Sequence, residues 1–196
     1  MPSAAEIIFI SIFLQLVFNA GRLLSDGDTG YHIRAGEFII QARTVPKADI
    51  FSLWMPPVSW TAHEWLSEVF MAVVHQHAGL LGIAVLFSLP IAMTHVLLFK
   101  MLRGDSQDIL MPLLLTAVAA STSSIHWLAP PHIFFLMLTV IWYSVLNRFQ
   151  YRGKNQLFVL PFIMFLWVNL HGGYIFGLML LLVYLFGKLA SLYFSE

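Results

Sequence analysis

The sequence contains no cysteine, which excludes disulfides, thiol catalysis, thiolate zinc sites and iron–sulfur clusters. Charge is also scarce. Ten Lys and Arg and ten Asp and Glu make up 10% of 196 residues, and the formal net charge is zero. A soluble domain carries about 25% charged residues, and a nucleic-acid binder needs a basic surface that this chain lacks. What is abundant is apolar: 59% of residues are hydrophobic and the mean hydropathy is +0.81, which excludes a disordered chain as well. The composition is that of an integral membrane protein. Its apolar runs are helical in length and lack the alternation of an outer-membrane barrel, so the expected fold is all-α, a polytopic helical bundle forming a single membrane domain over residues 1–196. No small-residue cleavage site follows the first apolar stretch, so it is expected to be retained as a span.

A bilayer core takes about 20 apolar residues per helix. Six spans are expected, at 4–24, 78–101, 108–124, 132–148, 156–170 and 172–192, with Pro90 and Pro161 as kinks inside or near spans. The segment 25–77 is too polar to span: it holds Asp26, Asp28, Glu37, Asp49, Glu64 and Glu68, six of the ten acidic residues, and Pro46, Pro56 and Pro57. It is expected to form a long outer loop with short helices near 30–43 and 62–77. The second would lie along the membrane, with Trp65, Val69 and Ala72 on one face and Glu64 and Glu68 on another. Trp54, Trp60 and Trp65 suit headgroup depth. Placing Lys100, Arg103, Arg148, Arg152, Lys154 and Lys188 inside satisfies the positive-inside rule. That puts the N-terminus in the cytoplasm and 25–77, 124–131 and 169–173 together on the outer face.

On that face three features carry the chemistry: the acidic start of the long loop, Trp60–Glu68 and Asn169–Gly173. Asp26-Gly27-Asp28 is a tight acidic turn that either binds a divalent cation or supplies a general base, or else only caps the next helix. Tyr31, His32 and Arg34 follow. Arg34 either forks onto a phosphate or pairs with Glu37 one turn on. His63 and Glu64 precede Trp65, and Glu64 is either a second working carboxylate or an exposed helix-start residue. Asn169 and His171 lie between two apolar spans, where polar groups are costly, beside Gly172 and Gly173, which allow close approach. His75 and His77 are two apart and form no metal pair. His95, inside a span, is left as a hydrogen-bonding residue or a ligand to pigment or haem.

The order of these features resembles a known family. Span one ends in Asp26-Gly27-Asp28-Thr29-Gly30-Tyr31-His32-Ile33-Arg34-Ala35-Gly36-Glu37. Val45-Pro46-Lys47-Ala48-Asp49-Ile50-Phe51-Ser52, Trp60-Thr61-Ala62-His63-Glu64-Trp65-Leu66, Pro131-His132 and Trp167-Val168-Asn169-Leu170-His171-Gly172-Gly173 follow. This resembles the N-terminal half of bacterial GT-C-type membrane glycosyltransferases. More distantly it is similar to the catalytic subunit of oligosaccharyltransferases, where an Asp is followed six residues later by an Arg, as Asp28 is by Arg34. The resemblance implies a bacterial inner membrane and a sugar donated from a polyprenyl phosphate. It implies Asp28 as base or metal ligand supported by Asp26; beside it, the residues themselves offer Glu64 as a further carboxylate and a divalent ion, Mg or Mn, as the metal. By the resemblance Arg34, Asn169 and His171 would line the donor-phosphate or acceptor region, and Tyr31, His32 and His63 are the neighbouring candidates for substrate binding. The sequence departs from the family at Pro130, where an Arg often precedes the Pro-His, and in length, since family members are much longer.

Two functions follow. In one, the chain is a non-catalytic GT-C-like subunit that packs among other membrane subunits, of a photosynthetic or respiratory complex for example, with bound lipid or pigment. In the other it is a glycosyltransferase that uses the lipid-linked donor. Membrane lipids are partners in both.

Overall fold

The structure, a computed structural model, describes residues 2–52, 58–129 and 131–194; Trp54, Pro56, Pro57 and Pro130 lie outside them. Among the described residues the regular structure is helical, with no strand: the α-helices are α1 Ala4–Phe18, α2 Ala20–Leu23, α3 Asp28–Ala42, α4 Trp65–Arg103, α5 Leu110–Ser123, α6 His132–Arg152, α7 Leu160–Leu170 and α8 Tyr174–Phe194. Three of them, α4, α6 and α8, are long and apolar enough to cross a membrane, where six spans were expected. The other three expected spans are shorter apolar helices.

Polar residues explain the shortfall. α1 begins with a capping box, Ser3 and Glu6 each accepting the other's backbone N–H. It ends at Asn19, whose side-chain and backbone N–H groups both donate to the Gln15 carbonyl, at 2.7 and 3.1 Å. α5 frays into hydroxyl residues: Thr122 donates to the Val118 carbonyl at 2.9 Å and Ser124 to that of Ser121 at 2.8 Å. Such local bonds compete with the helix ladder. α7 has Pro161 in its first turn, a position that needs no N–H, rather than at a kink.

The expected interfacial helix and second span are one element. α4 runs through both, broken at Gly79, where φ is 59° and ψ is −157°, a backbone that an L side chain resists. Pro90 lies within α4 and does not break it.

α4 is the hub, and its second half buries one stripe: Ile83, Phe87, Ile91 and Phe99 are at most 1% exposed. The spacing is that of a single helix face. It packs on Ile8, Ile12 and Leu16 of α1 and on Ile133 and Phe134 of α6. In a bilayer such contacts hold through fit and hydrogen bonds rather than through expulsion of water. Trp167 of α7 lies edge-on to Trp142 of α6, and a Cβ at Gly177 of α8 would come within 2.8 Å of it. Ser67 Oγ donates to the Leu170 carbonyl at 2.7 Å, tying α4 to α7. Both ring nitrogens of His95 have protein partners, the Ile91 carbonyl and Ser123 Oγ of α5.

Candidate functional site

The first outer stretch opens with an Asx turn. Asp26 Oδ1 accepts the Asp28 N–H at 2.8 Å, which starts α3. One face of α3 is buried, at Thr29, His32, Ile33, Ala35, Gly36 and Ile39, and this face meets the start of α4. There Glu64 and Glu68, one turn apart, point back at α3. His32 Nδ1 lies 3.2 Å from Glu68 Oε1, and His32 Nε2 lies 3.7 Å from Glu64 Oε2. The other oxygen of Glu64 faces His171 Nε2 at 3.2 Å and His63 Nε2 at 3.5 Å. Glu64 thus sits among histidines from α3, from the residue before it, and from the turn between α7 and α8.

The loop between α3 and α4 supplies a wall. The Asp49 N–H donates to the Val58 carbonyl at 2.9 Å and the Trp60 N–H to that of Lys47 at 3.0 Å, so the loop closes on itself. Trp60 and Phe51 are thereby laid against Tyr31, with ring centroids 6.0 and 5.2 Å from it. A half-open cavity of about 360 Å3 results, with Asp28, Tyr31, His32, Trp60, Glu64 and Glu68 among its walls.

The hydrogen bonds assign two histidine tautomers. The Gly173 N–H donates to His171 Nδ1 at 2.9 Å, so the proton of neutral His171 is on Nε2 and aims at Glu64. His63 Nδ1 lies 3.1 Å from the Thr61 carbonyl, so it carries a proton, and when the ring takes a second one that proton sits on Nε2, 3.5 Å from Glu64. Burial pushes the Glu64 carboxyl above its ordinary value, although His32 and His63 pull the other way. Burial, with repulsion from His132, His63 and His32, pushes His171 down to about 4. Burial and the nearby Glu68, Glu64, Asp49 and Asp28 carboxylates raise Tyr31 to about 12, so its hydroxyl stays a donor. A carboxyl raised and an imidazole lowered, in contact at 3.2 Å, are a pair suited to hold and pass one proton.

The expected site residues divide. Glu64, Tyr31, His32, His63 and Asp28 line the cavity, with Asp28 exposed, and His171 backs Glu64. Arg34 does not join them: it is exposed and paired with Glu37. Six residues along a helix turning about 100° each leave it on a different face from Asp28. Asn169 is a clamp, accepting from Trp65 Nε1 and donating to the Phe165 carbonyl, both at 2.7 Å. Glu68, expected on a polar face, is instead 1% exposed, because α3 covers it and gives it His32 as a partner. Its Oε2 has no hydrogen-bond partner among the described residues. Sequence reading did not select Glu68 or Trp60 as site residues, although the four-residue spacing of Glu64 and Glu68 was the available signal.

The expected metal pair does not fit. One oxygen of Asp26 is spent on the Asp28 N–H, Asp26 is outside the cavity lining, and among the described residues no three His, Asp or Glu are grouped to hold a metal ion. Comparison with known proteins finds no matching family model, curated protein or solved structure.

A pH test isolates His171. Its lowered value means the folded chain resists a proton that the unfolded chain accepts. The stability it contributes is therefore complete above about 6.5 and falls away as pH drops toward about 4. Glu64, raised, acts with the opposite sign above its ordinary 4.5. His171→Gln is expected to flatten the loss between pH 6.5 and 4, read by thermal unfolding in nanodiscs; an unchanged pH profile would contradict the assignment.

Proposed function

We propose that the chain forms the working face of a GT-C-type membrane glycosyltransferase, taking a sugar from a polyprenyl-phosphate donor. The observation that carries this reading is Glu64: a half-buried carboxylate with a raised affinity for protons, ringed by His32, His63 and His171, beside a cavity walled by aromatic rings. Flat aromatic faces and the Tyr31 hydroxyl suit a sugar ring. Glu64 takes the proton of an acceptor hydroxyl as its oxygen attacks the anomeric carbon. The bond from that carbon to the phosphate oxygen breaks, and its electron pair leaves with the polyprenyl phosphate. The resemblance gives the base role to Asp28, but burial and partners favour Glu64. In this reading α1, α5 and α7 complete six crossings, the N-terminus is cytoplasmic, and the membrane is a bacterial inner membrane with the site on its outer face.

One observation favours the other reading, a subunit packed in a larger complex. α8 is apolar, yet Gly177 is its single buried residue, so most of its surface is free for another helix. The deciding experiment gives the purified chain radiolabelled short-chain polyprenyl-phosphate sugars and a hydroxyl acceptor. Labelled product is the expected result. No product, together with fixed-stoichiometry migration in a larger native complex, would replace the enzyme with the subunit.

A further inference from the structure

The far end of α6 carries a second built cavity. His132, at one end of α6, acts on Glu64 and His171. Arg148 and Arg152 lie 16 and 20 residues on, about 24 and 30 Å at the helical rise, which is roughly the thickness of a bilayer core. There they meet Lys100 of α4 around a cavity of about 270 Å3 whose walls include Leu97, Ile141 and Asn147.

Arg152 is placed there by backbone. At Gly104, which ends α4 with φ 53°, an added Cβ would lie 2.7 Å from an Arg152 guanidinium nitrogen. The carboxylates nearby leave the cations in excess. Asp105 is 3.6 Å from Arg152, but its side chain is 93% exposed, where such a pair is weak. Glu6, which shares a neighbouring cavity with Lys100, is turned back onto the Ser3 N–H at 2.7 Å. The Gly153 and Lys154 N–H groups cap the Arg148 carbonyl, which blunts the negative helix end that would repel an anion.

We propose that this cavity binds an anionic phospholipid. Lys100, Arg148 and Arg152 hold the phosphate, and the acyl chains run along Leu97 and Ile141 into the bilayer. A free phosphate gains nothing from apolar walls, whereas a lipid at headgroup depth uses both halves of the site. The proposal is independent of the glycosyltransferase reading, because none of its residues touches the Glu64 cavity.

The test is made on the full chain, delipidated and reconstituted in phosphatidylcholine nanodiscs with or without phosphatidylglycerol. Retained lipid is counted by native mass spectrometry. Phosphatidylglycerol is expected to be retained in preference, and Lys100→Gln and Arg148→Gln are each expected to cut that preference about fivefold. Lys154→Gln, which makes the same change in net charge outside the cavity lining, should leave it intact. Gly104→Ala, which displaces Arg152, should weaken it. If Arg148→Gln does not fold in phosphatidylcholine alone, Lys100→Gln carries the test. An equal loss with Lys154→Gln would reduce the effect to general surface charge and overturn the proposal. So would displacement of the lipid by inorganic phosphate, or no change with Lys100→Gln.

Discussion

Glu64→Gln is expected to lower sugar transfer by about 10²–10⁴-fold, the usual worth of a general base, with the chain still folded. The amide has the shape of the carboxyl, and its oxygen can still accept the His171 Nε2–H that lies 3.2 Å away in the native chain. It cannot take a proton from an acceptor hydroxyl. The wild-type rate should rise with pH through a value above the ordinary carboxylate range, because burial raises Glu64 and only its ionised form is the base. That limb should be missing from the residual rate of the Gln variant. Asp28→Asn provides the contrast. Asp28 is exposed at the cavity, and its loss should cost far less. The opposite result, with Asp28→Asn inactive and Glu64→Gln close to wild type, would return the base role to the first acidic turn.

What could be read in advance depended on whether a feature is local. Apolar run length is local, so the helical membrane class and the positions of α6 and α8 were legible. Helix ends were less so, because they depend on whether Asn19 or the Ser121–Ser124 hydroxyls turn back onto their own backbone. At Asp26 the 2.8 Å bond from the Asp28 N–H makes an Asx turn ahead of α3, whose N-cap is Gly27 with no side-chain cap bond, a distinction that spacing alone does not give. Arg34 could have been set aside from helix periodicity alone. The pairings of His32 with Glu68 and of Glu64 with His171 could not have been read, since they join residues 36 and more than 100 positions apart. A shared membrane face makes such meetings feasible, but only packing selects them. Glu68 is the clearest case: on an isolated amphipathic helix it is a solvent-facing acid, and under α3 it becomes a buried partner of His32.

That packing rests on one glycine, and Gly36→Ala is expected to cause the largest loss of stability that a single methyl group can cause here. A Cβ at Gly36 would overlap the Glu68 carbonyl carbon and oxygen and lie 2.9 Å from the Ala72 Cβ. The obstacle is backbone, which cannot swing aside as a side-chain tip does, so α3 and α4 must part. Overpacking typically costs about 1–3 kcal/mol, and a clash against a carbonyl belongs at the upper end. Separation also breaks the contacts of His32 with Glu68 and Glu64, leaving a buried carboxylate without its partner, which is itself strongly destabilising. Thermal stability and sugar transfer should therefore fall together. Gly30→Ala separates this from a general effect of methyl groups in α3: a Cβ there meets nothing within 4 Å, and alanine favours the helix by about 0.5–1 kcal/mol. That variant should be as stable as wild type or slightly more so. If the two substitutions behaved alike in thermal unfolding, α3 would not be seated on the Glu68 carbonyl, and the placement of His32 between the two carboxylates would fall with it.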